Sequence, residues 1–320
     1  MNMRKSIYIL LLISACAPAP DRLIATTPPA PALAAEHSPT PTPPAVLAPP
    51  PAASPTAVPE VRFALIGDYG DAAYGLPAVA ELVNSWQPDL ILTLGDNNYP
   101  DGSAETIDEN IGQFFAPYIS PYRGEYGPGG KTNRFFPVLG NHDWSTNNAQ
   151  PYLDYFSLPG NERYYHFSWE FVEFFMLDSD GREPDGIGRS STQAAWLQQQ
   201  LAASNAVWKI VILHVPPYAS TQREQNLALR WPFKAWGADI VFSGHEHFYE
   251  RLIVDGFPYI VNGLGGGARY GFGDILPESQ LRFRGTHGAL LVVASRNILS
   301  IQFISVGQEI IDAFQLPIPE

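Results

Sequence analysis

Side chains that can bind metal ions follow five apolar segments of this sequence, each close to the point where the segment ends. The set consists of carboxylates, an amide, a phenol and imidazoles, and it contains no thiol. Oxygen and nitrogen donors of this kind suit Fe, Zn or Mn. In chain order the residues are Asp68; Asp96 with Tyr99; Asn141 with His142; His214; and His245 with His247.

Each of these motifs has a structural alternative when it is taken alone. A Gly-Asp pair after a strand is most often a turn, and a lone histidine there is most often a satisfied structural residue. The His-x-His pair at 245–247 is more suggestive, because alternate residues of an extended segment point to the same side. The chain places four of its seven histidines in these segments, which favours one shared metal site.

The elements that must position these residues alternate along the chain between apolar strands and helical segments. Strands are predicted for VRFALI, PDLILTL, RFFPVL, VWKIVIL and ADIVFS, and helices for LPAVAELVNSW and TQAAWLQQQLAAS. Near-continuous apolar strands indicate sheets that are buried on both faces. Ligands of open α/β sheets bind beyond the carboxyl ends of the strands, so we expect the five strand ends to meet at one rim.

The first sixty residues have a different character. Residues 1–16, MNMRKSIYILLLISAC, combine a basic start, a short apolar run and a small-residue end, which predicts an export signal. The ending resembles a bacterial lipobox, in which Cys16 would carry the lipid; an ordinary secretory signal is the alternative. Residues 17–60 hold 14 of the 31 prolines and predict a disordered, extended tether. We therefore expect an exported protein of the bacterial cell envelope, anchored by lipid.

Residues 61–320 remain for one catalytic domain. The only cysteine of the chain is Cys16, so this domain contains no disulfide. The formal charge of −13 argues against nucleic acid as a partner. Contact with a membrane is expected only through the lipid anchor, and the oligomeric state is left open.

The motifs GDYG, GDNNY, GNHD, ILHVPPY and GHEHFYER resemble, in this order, the five blocks of the calcineurin-like metallophosphoesterase superfamily. They most resemble its purple acid phosphatase branch. The resemblance implies an α/β fold in four layers, with two mixed β-sheets flanked by helices. Larger members carry a β-sandwich before the catalytic domain, so the chain resembles the small, single-domain type.

The resemblance also implies a site for two metal ions. One ion would bind Asp68, Tyr99 and His247. Asp96 would bridge both ions, and the second ion would bind the remaining ligands, Asn141, His214 and His245.

The tyrosine gives a further expectation about the metals. Most of the superfamily has a histidine ligand where this chain has Gly70, and Tyr99 would replace it. A phenol has a pKa of roughly 10, so a trivalent ion is needed to keep it ionised at acid pH. We therefore expect Fe(III) beside Tyr99 and divalent Fe, Zn or Mn at the second position. A tyrosine that only lines the pocket is the alternative.

The implied reaction is hydrolysis of a small phosphate ester, with a metal-bound hydroxide attacking phosphorus. His142 is predicted to be catalytic, contacting the phosphoryl oxygens or protonating the leaving group, and Asp143 to position it. Alternatively, His142 only orients Asp96 or Asp143.

Three functions fit these residues. The leading one is an acid phosphatase that acts on phosphate monoesters. A phosphodiesterase or nucleotide hydrolase would use the same ligands, since substrate choice would lie in loops such as 100–135 and 263–286. A surface binding module without activity is the third. The glycine-rich segment GLGGGARYG, residues 263–271, is predicted to be a flexible loop near the site.

Overall fold

The computed structural model describes residues 59–318. The predicted signal peptide at 1–16, the lipidated Cys16 and nearly all of the tether at 17–60 lie outside these residues and stay predictions. Within residues 59–318, every helix is too short or too polar to cross a bilayer.

The first sheet has six strands in the order β13-β12-β11-β1-β2-β3. Its first three strands along the chain run parallel to one another, and the last three join them in antiparallel fashion. The strands are β1 (Val61–Ile66), β2 (Leu90–Thr93), β3 (Phe135–Phe136), β11 (Gly288–Ala294), β12 (Ile298–Ser305) and β13 (Ile310–Pro317).

The second sheet has seven strands in the order β10-β8-β9-β7-β6-β5-β4. Four central strands, β9, β7, β6 and β5, are parallel, and the outer strands are antiparallel to their neighbours. The strands are β4 (Tyr165–Trp169), β5 (Val172–Met176), β6 (Trp208–Ile212), β7 (Ile240–Ser243), β8 (Tyr249–Val254), β9 (Phe257–Asn262) and β10 (Ser279–Phe283).

Helices cover the outer face of each sheet. The first sheet packs against α1 (Leu76–Ser85), the π-helical turn Asp108–Gly112 with α2 (Gln113–Phe115), and α3 (Gln150–Tyr155). The second packs against α4 (Thr192–Ala203) and α5 (Phe233–Trp236). A third apolar cluster lies between the sheets, where the rings of Phe63 and Phe174 meet edge to face at 5.1 Å. These layers confirm the predicted fold of two mixed β-sheets flanked by helices.

The third predicted strand is much shorter than the apolar run RFFPVL suggested, since only Phe135 and Phe136 pair with β2. Pro137 follows them and has no N–H to donate to a neighbouring strand. Its carbonyl instead accepts hydrogen bonds from the hydroxyls of Tyr152 (2.8 Å) and Tyr165 (2.6 Å). The segment from Val138 onward is therefore free to turn towards the carboxyl ends of the strands.

Candidate metal centre

Two buried aspartates stand at the centre of the candidate site, beyond the ends of β1 and β2. Asp68 is 0% exposed and Asp96 2%. One oxygen of each carboxylate accepts a hydrogen bond from the backbone of another strand end: Asp68 Oδ2 from His245 N (2.7 Å), and Asp96 Oδ1 from His142 N (2.9 Å). The bond to Asp68 joins the first sheet to the loop after β7 of the second sheet, whereas the bond to Asp96 joins two loops of the first sheet.

The first group of predicted ligands converges beside Asp68 Oδ1. The hydroxyl of Tyr99 lies 3.2 Å from Asp96 Oδ2 and 3.2 Å from His247 Nε2. His247 Nε2 lies 3.2 Å from Asp68 Oδ1, which is buried and has no hydrogen-bond partner within residues 59–318. A buried carboxylate oxygen without a partner is costly, and a cation would satisfy it. One donor atom each from Asp68, Asp96 and His247 lie within 4.8 Å of one another, so these residues fit a metal ion.

The second group converges on His214 Nε2, at the end of β6. This atom lies 3.1 Å from Asn141 Oδ1, 3.1 Å from His245 Nδ1 and 3.4 Å from Asp96 Oδ1. Asp96 therefore faces both groups, with Oδ2 towards the first and Oδ1 towards the second. The structure brings all seven predicted ligands together.

Gly70, where most of the superfamily has a ligand histidine, has no room for a side chain. A Cβ atom there would lie 2.3 Å from the carbonyl carbon and oxygen of Asn97. The backbone of Gly70 instead accepts a hydrogen bond from Tyr99 N (2.7 Å). The close approach of these two loops is what brings the phenol to the first group.

Backbone carbonyls set the orientation of two candidate histidine ligands. His214 Nδ1 donates to Leu94 O (2.7 Å), and His247 Nδ1 donates to Ala268 O. In a neutral imidazole this leaves the lone pair on Nε2, which points into the site in both residues. The protein therefore holds both rings in the tautomer that a metal ion requires.

Three of the seven residues have left-handed backbone conformations, which are uncommon for residues other than glycine. The φ angles are 57° at Asp68, 51° at Asp96 and 67° at His245. Left-handed conformations at non-glycine residues cost free energy and concentrate at functional sites.

The charges of the site favour a bound cation. Burial, reinforced by the charges of Asp68 and Asp96, raises the pKa of the Tyr99 phenol far above its usual value. Burial, together with nearby His214, lowers the pKa of His245 to about 3, so this ring is neutral and able to bind a metal. The protein groups alone thus keep Tyr99 protonated, and only a strong local positive charge can ionise it.

The structure gives different positions to the two residues predicted to be catalytic. His142 lies at the edge of the site: its Nε2 is 4.0 Å from Asp96 Oδ2, its side chain is 36% exposed, and its Nδ1 contacts the carbonyl of Pro100. Asp143 is buried and accepts hydrogen bonds from Gly140 N (2.8 Å) and Asn97 Nδ2 (2.7 Å). Asp143 therefore orders the loop that carries His142, and does not hold the imidazole directly.

The structure also adds residues that the sequence reasoning missed. Arg182 Nη2 donates to the carbonyl of Asn141 (2.8 Å). Arg223 Nη1 lies 2.7 Å from His245 Nε2, and the ring of Tyr270 stacks on that of His247 at 3.9 Å. Arg182 and Arg223 come from loops between the motifs, and nothing in their local sequence marks them as neighbours of the site. Tyr270 belongs to the glycine-rich segment that the sequence predicted to lie near the site.

The glycine-rich segment lies beside the site, but it is not a loose loop throughout. Residues 263–267 are buried. Gly267 N donates to Asp68 O (2.8 Å), and Gly265 N donates to Gly67 O (2.9 Å). The first half of the segment therefore packs as a backing for Asp68, and only the second half, from Ala268, reaches the surface.

Comparisons with known proteins place this arrangement in a family context. The model of the family described as calcineurin-like phosphoesterase matches residues 61–249. Purple acid phosphatase 22 of Arabidopsis thaliana is 29% identical over 207 residues, which cover 60% of this chain and 45% of the plant protein. Tartrate-resistant acid phosphatase type 5 of Mus musculus is 25% identical over 248 residues, which cover 65% of this chain and 73% of the mouse protein.

Among solved structures, purple acid phosphatase PPD1 from yellow lupin seeds superposes with a TM-score of 0.64 at 18% identity. The match covers 82% of this chain and 55% of the lupin chain. At this identity the likeness shows the fold. This chain spans less than half the length of the Arabidopsis relative.

Proposed function

This chain belongs to the calcineurin-like phosphoesterase family, and we propose that it hydrolyses phosphate monoesters at a dinuclear metal centre. The similarity to purple acid phosphatases confirms the predicted family resemblance. The observation that carries the proposal is the position of Asp96, whose two oxygens face two separate groups of ligands. In this position the Asp96 carboxylate could bridge two cations at one site.

The residues of each group suggest what the two ions are. Asp68, Tyr99 and His247 form the first group and would hold a trivalent ion such as Fe(III), whose charge would offset the high pKa of the buried phenol. The second group has one amide and two imidazoles besides Asp96, which suits divalent Fe, Zn or Mn. Bound there, the ions would supply positive charge for a phosphate oxyanion and lower the pKa of water.

The chain's own groups then act on the substrate from the exposed side. His142 lies at the edge of the ligand cluster with its Nε2 on the site side, because Nδ1 is held by the carbonyl of Pro100. When the ring carries both protons, Nε2–H can donate to a phosphoryl oxygen or to the leaving oxygen. Asp143 maintains this position by ordering the loop from Gly140.

The setting of the enzyme is part of the same proposal. We expect it to act outside the cytoplasm on small phosphate esters, held to the cell envelope through a lipid on Cys16. Mass spectrometry of the membrane fraction, compared with a Cys16→Ala variant, tests this part by itself.

The experiment that tests the reaction compares two substrates on the metal-loaded protein. We expect kcat/KM to be higher for p-nitrophenyl phosphate than for bis(p-nitrophenyl) phosphate, and the opposite preference would make the protein a diesterase. His142→Ala should lower kcat by about a hundredfold or more, as loss of general acid catalysis does, while the metal content is unchanged. A fully metallated wild type that cleaves neither ester would instead identify a binding module.

A further inference from the structure

Three arginines lie together at one edge of the candidate metal centre. We call Arg223, Arg269 and Arg284 the basic rim; all three are exposed, and they surround Tyr270. Arg223 lies over the ring of Tyr270 at 4.9 Å, and Arg284 Nη1 donates to its carbonyl (3.5 Å). Arg269 contacts the carbonyl of Gly285. Through Tyr270, which stacks on His247, the basic rim is continuous with the predicted ligands.

The arginines of the basic rim contact carbonyls, an imidazole and an aromatic ring of the fold, but they form no ion pairs within residues 59–318. Within residues 59–318 the ion pairs made by arginines involve other positions, namely Arg163, Arg182 and Arg251. No carboxylate of the described chain lies within 4.0 Å of a guanidinium nitrogen of the basic rim. Three arginines without an ion-pair partner therefore lie beside the predicted ligands, in a chain whose net charge is −13.

The contact of Arg223 with the site is compatible with only one state of His245. Arginine can only donate, so this contact requires a lone pair on His245 Nε2. A metal ion on His245 Nδ1 would leave the proton on Nε2, and Arg223 would then have no acceptor there. In the loaded protein this guanidinium would therefore be free to bind an anion at the mouth of the site.

We propose that the basic rim is a second phosphate subsite, selecting substrates whose leaving group itself carries a phosphate. Inorganic pyrophosphate, nucleoside diphosphates and sugar bisphosphates share this chemistry. The inference rests on the proposed function, because the scissile phosphoryl group must occupy the metal centre. A guanidinium group binds phosphate through two parallel N–H donors. Salt weakens the attraction between a single exposed arginine and a phosphate, and several arginines around one phosphate compensate for this.

The reaction at the metal centre is the same hydrolysis. The oxygen of water bonds to the terminal phosphorus, the P–O bond to the leaving group breaks, and the leaving oxygen takes a proton. The basic rim holds the phosphate of the leaving group during this step and releases it with the product.

The kinetic test uses Arg269→Gln and Arg284→Gln, alone and combined. We expect the double variant to raise KM about tenfold for pyrophosphate, ADP and fructose 1,6-bisphosphate, as loss of two charge-assisted contacts would. The KM for p-nitrophenyl phosphate should change less than about twofold, within the range of surface substitutions. A rise for ADP alone would point to the nucleoside and overturn the proposal, as would equal shifts for all substrates or no shift.

The matched control is Arg296→Gln. Arg296 is exposed, lies over the ring of Phe171 at 5.1 Å, and follows β11 where that strand pairs with the start of β1, at the opposite end from Asp68. This control should leave every KM unchanged. If Arg296→Gln raised these KM values as much as the double variant does, the effect would come from net charge and not from a subsite.

A second readout does not depend on turnover. Calorimetry on the metal-loaded protein should show at least about tenfold tighter binding of methylenediphosphonate than of methylphosphonate, and this difference should disappear in the double variant. Metal content measured after each titration excludes extraction of the ions. If p-nitrophenyl phosphate is not hydrolysed, the proposed function fails, whereas equal binding of the two phosphonates in an active protein overturns only the subsite.

Discussion

Tyr99 is the single residue whose chemistry says most about the metals. Its hydroxyl lies between Asp96 and His247, and its neighbours on the protein keep it protonated. As a ligand, Tyr99 would have to lose its proton against burial and two nearby carboxylates, and it would therefore favour an ion of high charge. The proposed Fe(III) position can be tested through the colour of the protein.

Tyr99→Phe should abolish a visible absorption band in iron-loaded protein, because charge transfer from phenolate to Fe(III) requires the oxygen. The measurement is a visible spectrum with metal analysis of the same sample. Tyr126→Phe, at an exposed tyrosine that is 47% accessible, is the matched control and should keep the band. If the band persisted in Tyr99→Phe, Tyr99 would not be a metal ligand. If the active wild type were colourless and contained two zinc or two manganese ions, the Fe(III) assignment would be wrong.

At the scale of elements, the site depends on loops whose backbones approach more closely than side chains allow. A Cβ on Gly265 would lie 2.3 Å from Gly67 O, and one on Gly263 would lie 2.3 Å from Glu246 O. Both glycines follow β9, and they bring its end against the loops that carry Asp68 and His247. The conformation after one strand thus sets the position of ligands that come from two others.

Gly265→Ala should therefore destabilise the protein and weaken metal binding together. Overpacking of this kind costs about 1–3 kcal/mol, which lowers Tm by roughly 2–4 °C per kcal/mol in a domain of this size. Scanning calorimetry and metal analysis measure the two effects. Gly188→Ala, where a Cβ would meet nothing within 4 Å, is the control and should change neither. Unchanged Tm and metal content in Gly265→Ala would show that the loops shift freely.

Sequence reasoning reached the fold and the ligand cluster because both leave a local signature. An apolar strand that ends in Gly-Asp or Gly-His can be recognised within a few residues of sequence. The order of these strand ends along the chain matches the order of the family's motifs. The role of Asp143 and the nearness of Arg223 to His245 depend on how separate loops pack, which no local pattern records. The length of β3, which has only two residues, was overestimated. An apolar run does not show which of its residues will pair with a neighbouring strand.

At the scale of the whole molecule, metal binding and stability should be coupled. The buried carboxylates of Asp68 and Asp96 lie close together, and burial disfavours their charge unless a cation neutralises it. Removing metal with a chelator should lower Tm, because each site filled at 100 times its Kd contributes about 2.7 kcal/mol. That corresponds to roughly 5–10 °C per site.

Thermal denaturation before and after chelation, and after the ions are restored, measures this coupling. Asp96→Ala is the variant to compare. Because it lacks the carboxylate that faces both groups of ligands, its Tm should hardly change when the chelator is added. If neither the chelator nor added ions changed the Tm of the wild type, the cluster would not bind metal.

The left-handed backbone at Asp68, Asp96 and His245 has an evolutionary consequence. Glycine adopts this conformation without steric cost, so replacing any of the three by glycine relieves strain, and at the aspartates it also removes a buried charge. At the aspartates, however, glycine would leave the backbone N–H groups of His245 and His142 without their acceptors. At His245 it would remove only side-chain contacts with Arg223 and His214. Drift under selection for folding alone would therefore erase His245 more readily than the two aspartates, and its imidazole is the one of the three side chains whose presence the fold explains least.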